Sequence, residues 1–201
     1  MTPDWGKLLK LTLTNPKEAA AEVMLIRRML STEALWSTVI LVAVLHTLIT
    51  SLEMWVVPPP PEMVELIPAF FFKPALLAMM AAGAIVLMVF ALYWAGRALG
   101  GTADLRDVLA TFTWLELMMA GAQLVALVLI FFSPGLSDLF SLMVFFWGVW
   151  ALIAFIDRSQ GFDSPMRAIG VLVATIGLML AGLVIFSLFV GVTAQGVAAH
   201  V

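Results

Sequence analysis

Five long apolar stretches dominate the hydrophobic pattern of the chain. Each holds close to the ~20 apolar residues that a helix needs to cross ~30 Å of hydrocarbon at about 1.5 Å per residue. We therefore predict an all-α polytopic membrane protein with five transmembrane helices. The predicted spans are Ala34–Val57, Pro74–Gly96, Val108–Phe132, Leu139–Ile156 and Met166–Val190.

The first 33 residues mix charged and apolar positions with the spacing of amphipathic surface helices. In a first helix, Lys7 and Lys10 can reach lipid headgroups while the apolar side chains share another face. A second helix is predicted from Asn15 as N-cap and Pro16 at the first helical position, running to about Leu30. The chain is thus divided into interfacial helices, residues 1–33, and a five-helix domain, residues 34–201.

Nine of the ten Lys and Arg residues fall on one side of a membrane if all five stretches cross it. Cytoplasmic segments collect Lys and Arg, so the pattern predicts that the N-terminus is inside and the C-terminus outside. On the outer side only Lys73 remains. The inner residues are Lys7, Lys10, Lys17, Arg27, Arg28, Arg97, Arg106, Arg158 and Arg167.

Composition excludes several classes of protein. With 63% hydrophobic and 11% charged residues and a mean hydropathy of +1.11, the chain is no soluble domain, in which about a quarter of residues are charged. It lacks the basic surface that nucleic acid demands. There are no cysteines for disulfides or thiolate sites, and two histidines, His46 and His200, do not make a zinc site by themselves. We expect no cofactor, no metal and no cleaved signal peptide, since no continuous apolar region precedes Ala34.

Polar residues inside predicted spans are costly and mark candidate sites. The first span has three on one face at helical spacing, and so does the third. Glu116 lies deep enough that its carboxylate should be protonated, paired or facing water. The candidate intramembrane polar site comprises His46, Thr50, Glu53, Thr113, Glu116 and Gln123.

Two interpretations of this polar set remain open. Three titratable groups, His46, Glu53 and Glu116, could line a polar path or a substrate site between the helices. The same groups could instead form interhelical hydrogen bonds, worth about 0.6–2 kcal/mol each, that specify packing. Small residues on one face of the fifth span, Ala174, Gly177 and Ala181, predict close helix packing, which we expect within the molecule rather than across a dimer.

The cytoplasmic loops predict where helices begin. Thr102 is a candidate N-cap for the third span, and Pro165 is placed at the start of the fifth. The basic residues of this side form a candidate surface for a protein partner or for anionic lipid, although the N-terminal helices could also simply rest on lipid. The candidate contact residues are Lys7, Lys10, Arg27, Arg28, Arg97, Arg106, Arg158 and Arg167.

Three short segments carry a family resemblance. Asn15–Ala19 resembles the Asn-Pro-x-Glu-Ala stretch that precedes the first span in bacterial members of the Yip1 family. Gly100–Leu109 is similar to the Gly-Gly segment between spans two and three of that family, and Gly161–Ile169 occupies the place of its segment before the last span. The Asp-Leu-Tyr-Gly-Pro motif of eukaryotic members has no match, so the resemblance implies a prokaryotic member.

The resemblance implies an integral membrane protein of the interaction type in the bacterial cytoplasmic membrane. We expect a non-enzymatic scaffold or adaptor that binds other membrane proteins or lipid, or a second copy of itself. The alternative is a small transporter, channel or lipid-moving protein that uses the intramembrane His and Glu face. An intramembrane enzyme is a remote third option, because the chain has no P-loop, HExxH or Ser-His-acid pattern.

Overall fold

The computed structural model describes residues 4–198, with side chains described as far as Ile185. All regular structure in this part of the chain is helical. Besides a 3₁₀ turn at Ala69–Phe72, the helices are α1 (Trp5–Thr14), α2 (Pro16–Arg27), α3 (Thr32–Val56), α4 (Pro61–Val64), α5 (Pro74–Ala98), α6 (Leu105–Ile130), α7 (Pro134–Gln160) and α8 (Pro165–Ala198). His200, and the C-terminus that we predict to be outside, lie beyond the described residues.

The five predicted spans are confirmed. Helices α3, α5, α6 and α7, and α8 as far as Ile185, are all long and apolar enough to cross a membrane. Two boundaries differ most from the prediction: α7 begins at Pro134 rather than near Leu139, and α8 continues to Ala198 rather than ending near Val190. Proline is favoured at the first position of a helix, because its missing N–H and fixed φ cost nothing there.

Helix α6 is the central element of the bundle, packing against α2, α3, α5 and α7. Its first half is buried on most faces, with Val108, Leu109 and Phe112 in the main apolar core. Helix α8 packs on the other side, against α5 and α7. The core therefore lies toward the end of the bundle at which α6 begins.

The N-terminal helices lie on that same end of the bundle. Asn15 caps α2 and Pro16 is its first residue, as predicted. The helix ends at Arg27 rather than near Leu30, and the next residues continue as turns. Ala19, Ala20 and Val23 are buried against α6 and α7, so this face of α2 rests on protein and not on lipid.

The prediction that Thr102 caps the third span is wrong. Asp104 is the N-cap of α6, in a capping box where the Asp107 N–H donates to Asp104 Oδ1 (2.7 Å) and the Asp104 N–H to Asp107 Oδ2 (3.1 Å). Thr102 instead donates its backbone N–H (2.9 Å) and its hydroxyl (3.2 Å) to the carbonyl of Gln160. It thus joins the two loops at this end of the bundle. Pro165 does begin α8, as predicted.

The small-residue face of α8 is not packed inside the molecule, contrary to our expectation. Ala174, Gly177 and Ala181 are all exposed, and a Cβ added to Gly177 would meet nothing within 4 Å. Helix α8 uses a different face, with Ala168, Val171 and Thr175 fully buried. This stripe therefore does not set the internal packing of the fifth span.

Candidate functional site

The polar residues of α3 and α6 meet in the middle of the bundle. His46 Nε2 lies 3.3 Å from Glu116 Oε2 and 3.2 Å from the Glu116 carbonyl oxygen. On the other side of the ring, Nδ1 lies 3.2 Å from Gln123 Oε1. The Gln123 amide in turn donates to Thr50 Oγ1 at 3.4 Å. Four of the six predicted residues thus form one network, which we call the His46 network.

The other two predicted residues lie apart from this network. Glu53 lines a cleft at the end of the bundle far from α1 and α2. Thr113 is 5% exposed, its hydroxyl has no hydrogen-bond partner, and it lines an apolar groove nearer the N-terminal helices. The helical spacing that grouped these residues in the sequence was correct. Packing of α3 against α6 decides which of them meet.

The far-end cleft has a volume of about 290 Å³. Its walls come from the end of α3, the last turns of α6 and the first turns of α7. Its polar lining consists of Glu53, Gln123, Ser137, Asp138 and Ser141. Because Gln123 belongs to both, the cleft reaches the His46 network.

A second polar set fixes the N-terminal helices to the ends of the spans. Lys17 Nζ lies 2.8 Å from Asp157 Oδ2 and 3.3 Å from Asp163 Oδ1. Asp157 is 2% exposed and also accepts the Ser164 N–H at 2.7 Å. The hydrogen bond to Asp157, supported by Asp163, raises the pKa of Lys17 above its usual value. This pairing joins α2 to the loop that follows α7.

Arg27 makes the matching connection to the start of α6. Its guanidinium pairs with Asp107 and lies 3.4 Å from Asp104 Oδ2. Arg106 of α6 reaches back and donates to the Leu30 carbonyl at 2.6 Å. Together with the Lys17 pairs, these contacts connect α2 to the loop between α5 and α6 and to the loop between α7 and α8. The sequence could not reveal them, because every partner is far away in the chain.

The predicted contact residues therefore divide into two groups. The side chain of Arg27 is only 14% exposed and, like Arg106, is occupied by internal contacts. We call the surface formed by α1, α2 and the loops at 99–104 and 161–164 the platform. The exposed basic residues on and beside it are Lys7, Lys10, Arg28, Arg97, Arg158 and Arg167.

An apolar groove of about 150 Å³ lies beneath the platform, between the N-terminal helices and spans α3 and α6. Trp5 stacks on Trp114 at its edge, with ring centroids 6.1 Å apart, and the Trp114 indole donates to Thr12 Oγ1 at 2.9 Å. In the described residues, no three His, Asp or Glu side chains come together as a metal site.

A family model, the Yip1 domain, matches residues 10–186 of the chain. The chain belongs to the Yip1 family. The match confirms the resemblance seen in the sequence. No curated protein and no solved structure matches the chain.

The matched region of the Yip1 domain contains both polar sets. It begins within α1 and runs to the first residue after Ile185. The His46 network, the Lys17 and Arg27 pairs and the far-end cleft all lie inside it. The division of the chain at residue 33 stays a prediction, as does the side of the membrane on which the N-terminus lies.

Proposed function

We propose that this Yip1 protein is a non-enzymatic membrane adaptor whose platform binds another membrane protein. The observation that carries the proposal is the attachment of α2 to both of these loops, α5–α6 and α7–α8, through Lys17 and Arg27. Buried carboxylates hold both side chains, so the N-terminal helices are ordered before any partner arrives. A preorganised surface binds with a smaller entropic cost than a flexible tail.

The exposed cations of the platform can pair with acidic groups on a partner. Six exposed Lys and Arg side chains lie on or beside it, interspersed with the acidic residues Asp4, Glu18, Glu22 and Asp163; Lys7 lies 3.4 Å from Glu22, and Arg27 and Arg106 are used internally. Complementary charge raises association rates and selects among partners. Anionic lipid would satisfy the same cations, each worth about 1 kcal/mol near a membrane surface, and is the competing ligand.

The proposal puts the protein in the cytoplasmic membrane of a bacterium, with the platform on the cytoplasmic side. Two observations support this: the asymmetric distribution of Lys and Arg, and the absence of the eukaryotic motif. A second copy of the chain is one further possible occupant of the platform.

Site-specific photocrosslinking in native membranes tests the adaptor role. A photoreactive residue is placed at Lys10, Arg28 or Arg158 of the platform, and at the exposed far-end positions Glu62 and Leu66 as controls. We expect crosslinks to one protein from the platform positions and none to that protein from the controls. The partner is identified by mass spectrometry and purified with the chain.

Charge-reversal variants then show whether the platform cations bind the crosslinked partner or only lie near it. Arg28→Glu and Arg158→Glu should each weaken co-purification of that partner, whereas Lys73→Glu at the opposite end should leave it unchanged. Crosslinks confined to lipid, or to a second copy of the chain, would count against a heterologous adaptor.

A second candidate function, transport of a small solute or lipid, has one specific observation in its favour. The far-end cleft meets the His46 network inside the bundle through Gln123. Flux and lipid-scrambling assays in proteoliposomes test it, with Glu116→Gln as the decisive variant. Activity that is present in the wild type and lost in this variant would support transport.

A further inference from the structure

The far-end cleft has room for water next to a titratable pair. A volume of about 290 Å³ exceeds the ~10–15 Å³ of probe-occupied volume that one water needs. Glu53 and Asp138 supply carboxylates near its mouth, and Ser141 adds a hydroxyl. Water in such a cleft has the polar partners that hold it there.

Gln123 lies at the deepest point of this cleft, within the bundle. It lies seven residues before the end of α6, which puts it about 10 Å below that end at about 1.5 Å per residue. Its carbonyl oxygen faces His46 Nδ1, and the other ring nitrogen faces Glu116. A line of polar atoms therefore runs from the cleft to Glu116, almost halfway along the helix.

With the Gln123 amide nitrogen donating to Thr50, the contacts of His46 favour a proton between His46 and Glu116. Nδ1 faces the Gln123 carbonyl oxygen, while Nε2 faces both the backbone and a carboxyl oxygen of Glu116. In this arrangement the Nδ1–H of neutral His46 donates to Gln123, and Nε2 carries a lone pair. That lone pair would face the lone pairs of an ionised Glu116 carboxylate, which is repulsive. One added proton, on Nε2 or on the carboxyl, turns this repulsion into a hydrogen bond. The pair with its proton is also neutral, which is the favourable state within a membrane.

Among the residues that the structure describes, no other ionisable side chain makes a hydrogen bond or ion pair with His46 or Glu116. On α3 and α6, the next ones are Glu53 toward the cleft and Asp107 toward the platform, where Arg27 neutralises it. The neighbouring helices that pack on α3 or α6 carry these ionisable residues: Lys17, Glu18, Glu22 and Arg27 on α2, Tyr93 and Arg97 on α5, and Asp138, Asp157 and Arg158 on α7.

The line of polar atoms connects the His46–Glu116 pair to the far-end cleft but does not continue from the pair toward the platform. Toward the platform, α3 and α6 line the groove with the apolar side chains of Leu41, Val42, Ala110 and Leu117. The rest of the groove is apolar as well, apart from Arg27 and the hydroxyls of Thr38 and Thr113. A proton thus has a polar approach from the cleft and an apolar barrier beyond Glu116.

We propose that His46 and Glu116 form a proton-binding site that is loaded from the far end of the bundle through the water-accessible cleft. The uptake is a simple protonation, in which the pair with neutral His46 and ionised Glu116 gains one H⁺ and its net charge goes from −1 to 0. The inference goes beyond the adaptor role and does not depend on it. By the Lys and Arg distribution, the far end is the outer side.

Thiol labelling tests the cleft, and the absence of cysteine makes every single-Cys variant unambiguous. Ser141 and Ala126 line the cleft, and Leu142 and Val125 are exposed outside it. The test variants are therefore Ser141→Cys and Ala126→Cys, and the controls are Leu142→Cys and Val125→Cys. A charged, membrane-impermeant methanethiosulfonate reacts with thiolate, which forms in water and not in lipid. Lys73→Cys and Arg158→Cys mark the two ends of the bundle.

We expect the two cleft variants to react at least about tenfold faster than the lipid-facing controls, and from the same side as Lys73→Cys. Equal rates for cleft and control variants would overturn the proposal. So would reaction of the cleft variants only from the Arg158→Cys side.

Nitrogen-15 NMR in lipid nanodiscs tests the proton itself. A His200→Asn background leaves His46 as the one histidine, so its ring signals need no assignment. We expect the chemical shifts of both ring nitrogens to change as the pair loses its shared proton, at a pH between about 4 and 10. In Glu116→Gln the amide can donate to Nε2 without an added proton, so this transition should vanish while the fold is kept.

A His46 signal that stays constant over the whole range in the wild type would overturn the site. An unchanged transition in Glu116→Gln would do the same. Neither result bears on partner crosslinking at the platform, so failure of this inference is distinguishable from failure of the adaptor proposal.

Discussion

Lys17 of α2 lies 2.8 Å from Asp157 at the end of α7, and the carboxylate it contacts is almost completely buried. One side chain of this pair is partly solvated, while the other is enclosed and also holds the Ser164 backbone N–H. The pair attaches the N-terminal segment to the membrane domain. Together with the Arg27 pairs and the buried apolar face of α2, it holds the platform against the bundle.

Removing Asp157 should release the N-terminal helices. Asp157→Ala leaves the Ser164 N–H without its acceptor and Lys17 with Asp163 as its remaining partner, which costs about 1–3 kcal/mol of unfolding free energy. Limited proteolysis should then cleave within residues 1–31 faster than in the wild type. Lys10→Met, at an exposed position, is the matched control and should cleave at the wild-type rate. Equal protection in Asp157→Ala would show that the Lys17–Asp157 pair is not needed to hold α2, and that apolar packing and the Arg27 pairs suffice.

Attachment of α2 should also weaken at high pH. The pKa of Lys17 is raised in the folded protein by its hydrogen bond to Asp157, from an ordinary value of 10.5. A raised pKa means that the stabilisation is complete below about pH 10.5 and is lost as the pH rises through the folded value. Hydrogen exchange in α2 should therefore rise more above pH 10.5 than base catalysis predicts. In Lys17→Met this extra increase should be absent.

Two glycines permit the contact between α5 and the end of α7. A Cβ on Gly96 would lie 2.1 Å from the Gln160 amide nitrogen, and one on Gly101 would lie 2.1 Å from its carbonyl oxygen and 2.8 Å from the Gly96 carbonyl oxygen. Gln160 is 2% exposed and has little room to move. We expect Gly101→Ala, and to a smaller extent Gly96→Ala, to cost about 1–3 kcal/mol through overpacking.

Gly177→Ala is the control for these substitutions, because its Cβ would meet nothing within 4 Å. Thermal unfolding in mild detergent should leave this variant at or slightly above the wild-type midpoint, since Ala favours helix over Gly. A large loss for Gly177→Ala would reveal a helix that packs on this face in a second copy.

The His46 network should contribute modestly to stability. Glu116→Leu leaves the His46 ring without its carboxyl partner, which we expect to cost about 0.6–2 kcal/mol, as for other interhelical hydrogen bonds in membranes. Glu116→Gln keeps a polar partner and should cost less. Unfolding in mixed detergent micelles measures both. If both variants are as stable as the wild type, the network is not a packing device.

We predict the orientation of the chain from the nine cations at one end of the bundle. A reporter that folds only in the cytoplasm should be active when fused before residue 1 and inactive after residue 201. Replacing Arg97, Arg106, Arg158 and Arg167 by Gln while adding Lys to the first outer loop should reduce this asymmetry. Activity at both ends of the unmodified chain would contradict five crossings.

The sequence determined the features that depend on local pattern. Five spans follow from five apolar stretches, because each must satisfy its backbone hydrogen bonds within one helix. The start of α2 at Pro16 follows from its own cap residues. The polar residues of α3 and α6 were evident for a similar reason, since His46 and Glu116 stand out in apolar surroundings. The family match over residues 10–186 agrees with short motifs that the sequence displays.

Tertiary structure decided which of these residues meet. Apolar helices present almost equivalent faces, so the sequence did not show that α8 leaves Gly177 exposed or that the Thr113 hydroxyl stays outside the hydrogen bonds of Glu116. Arg27 and Arg28 look alike in the sequence, yet one is paired with Asp107 and the other is exposed. Such pairs join residues far apart along the chain. Their geometry exists only after the helices have packed, because it depends on small differences in side-chain volume summed over whole interfaces.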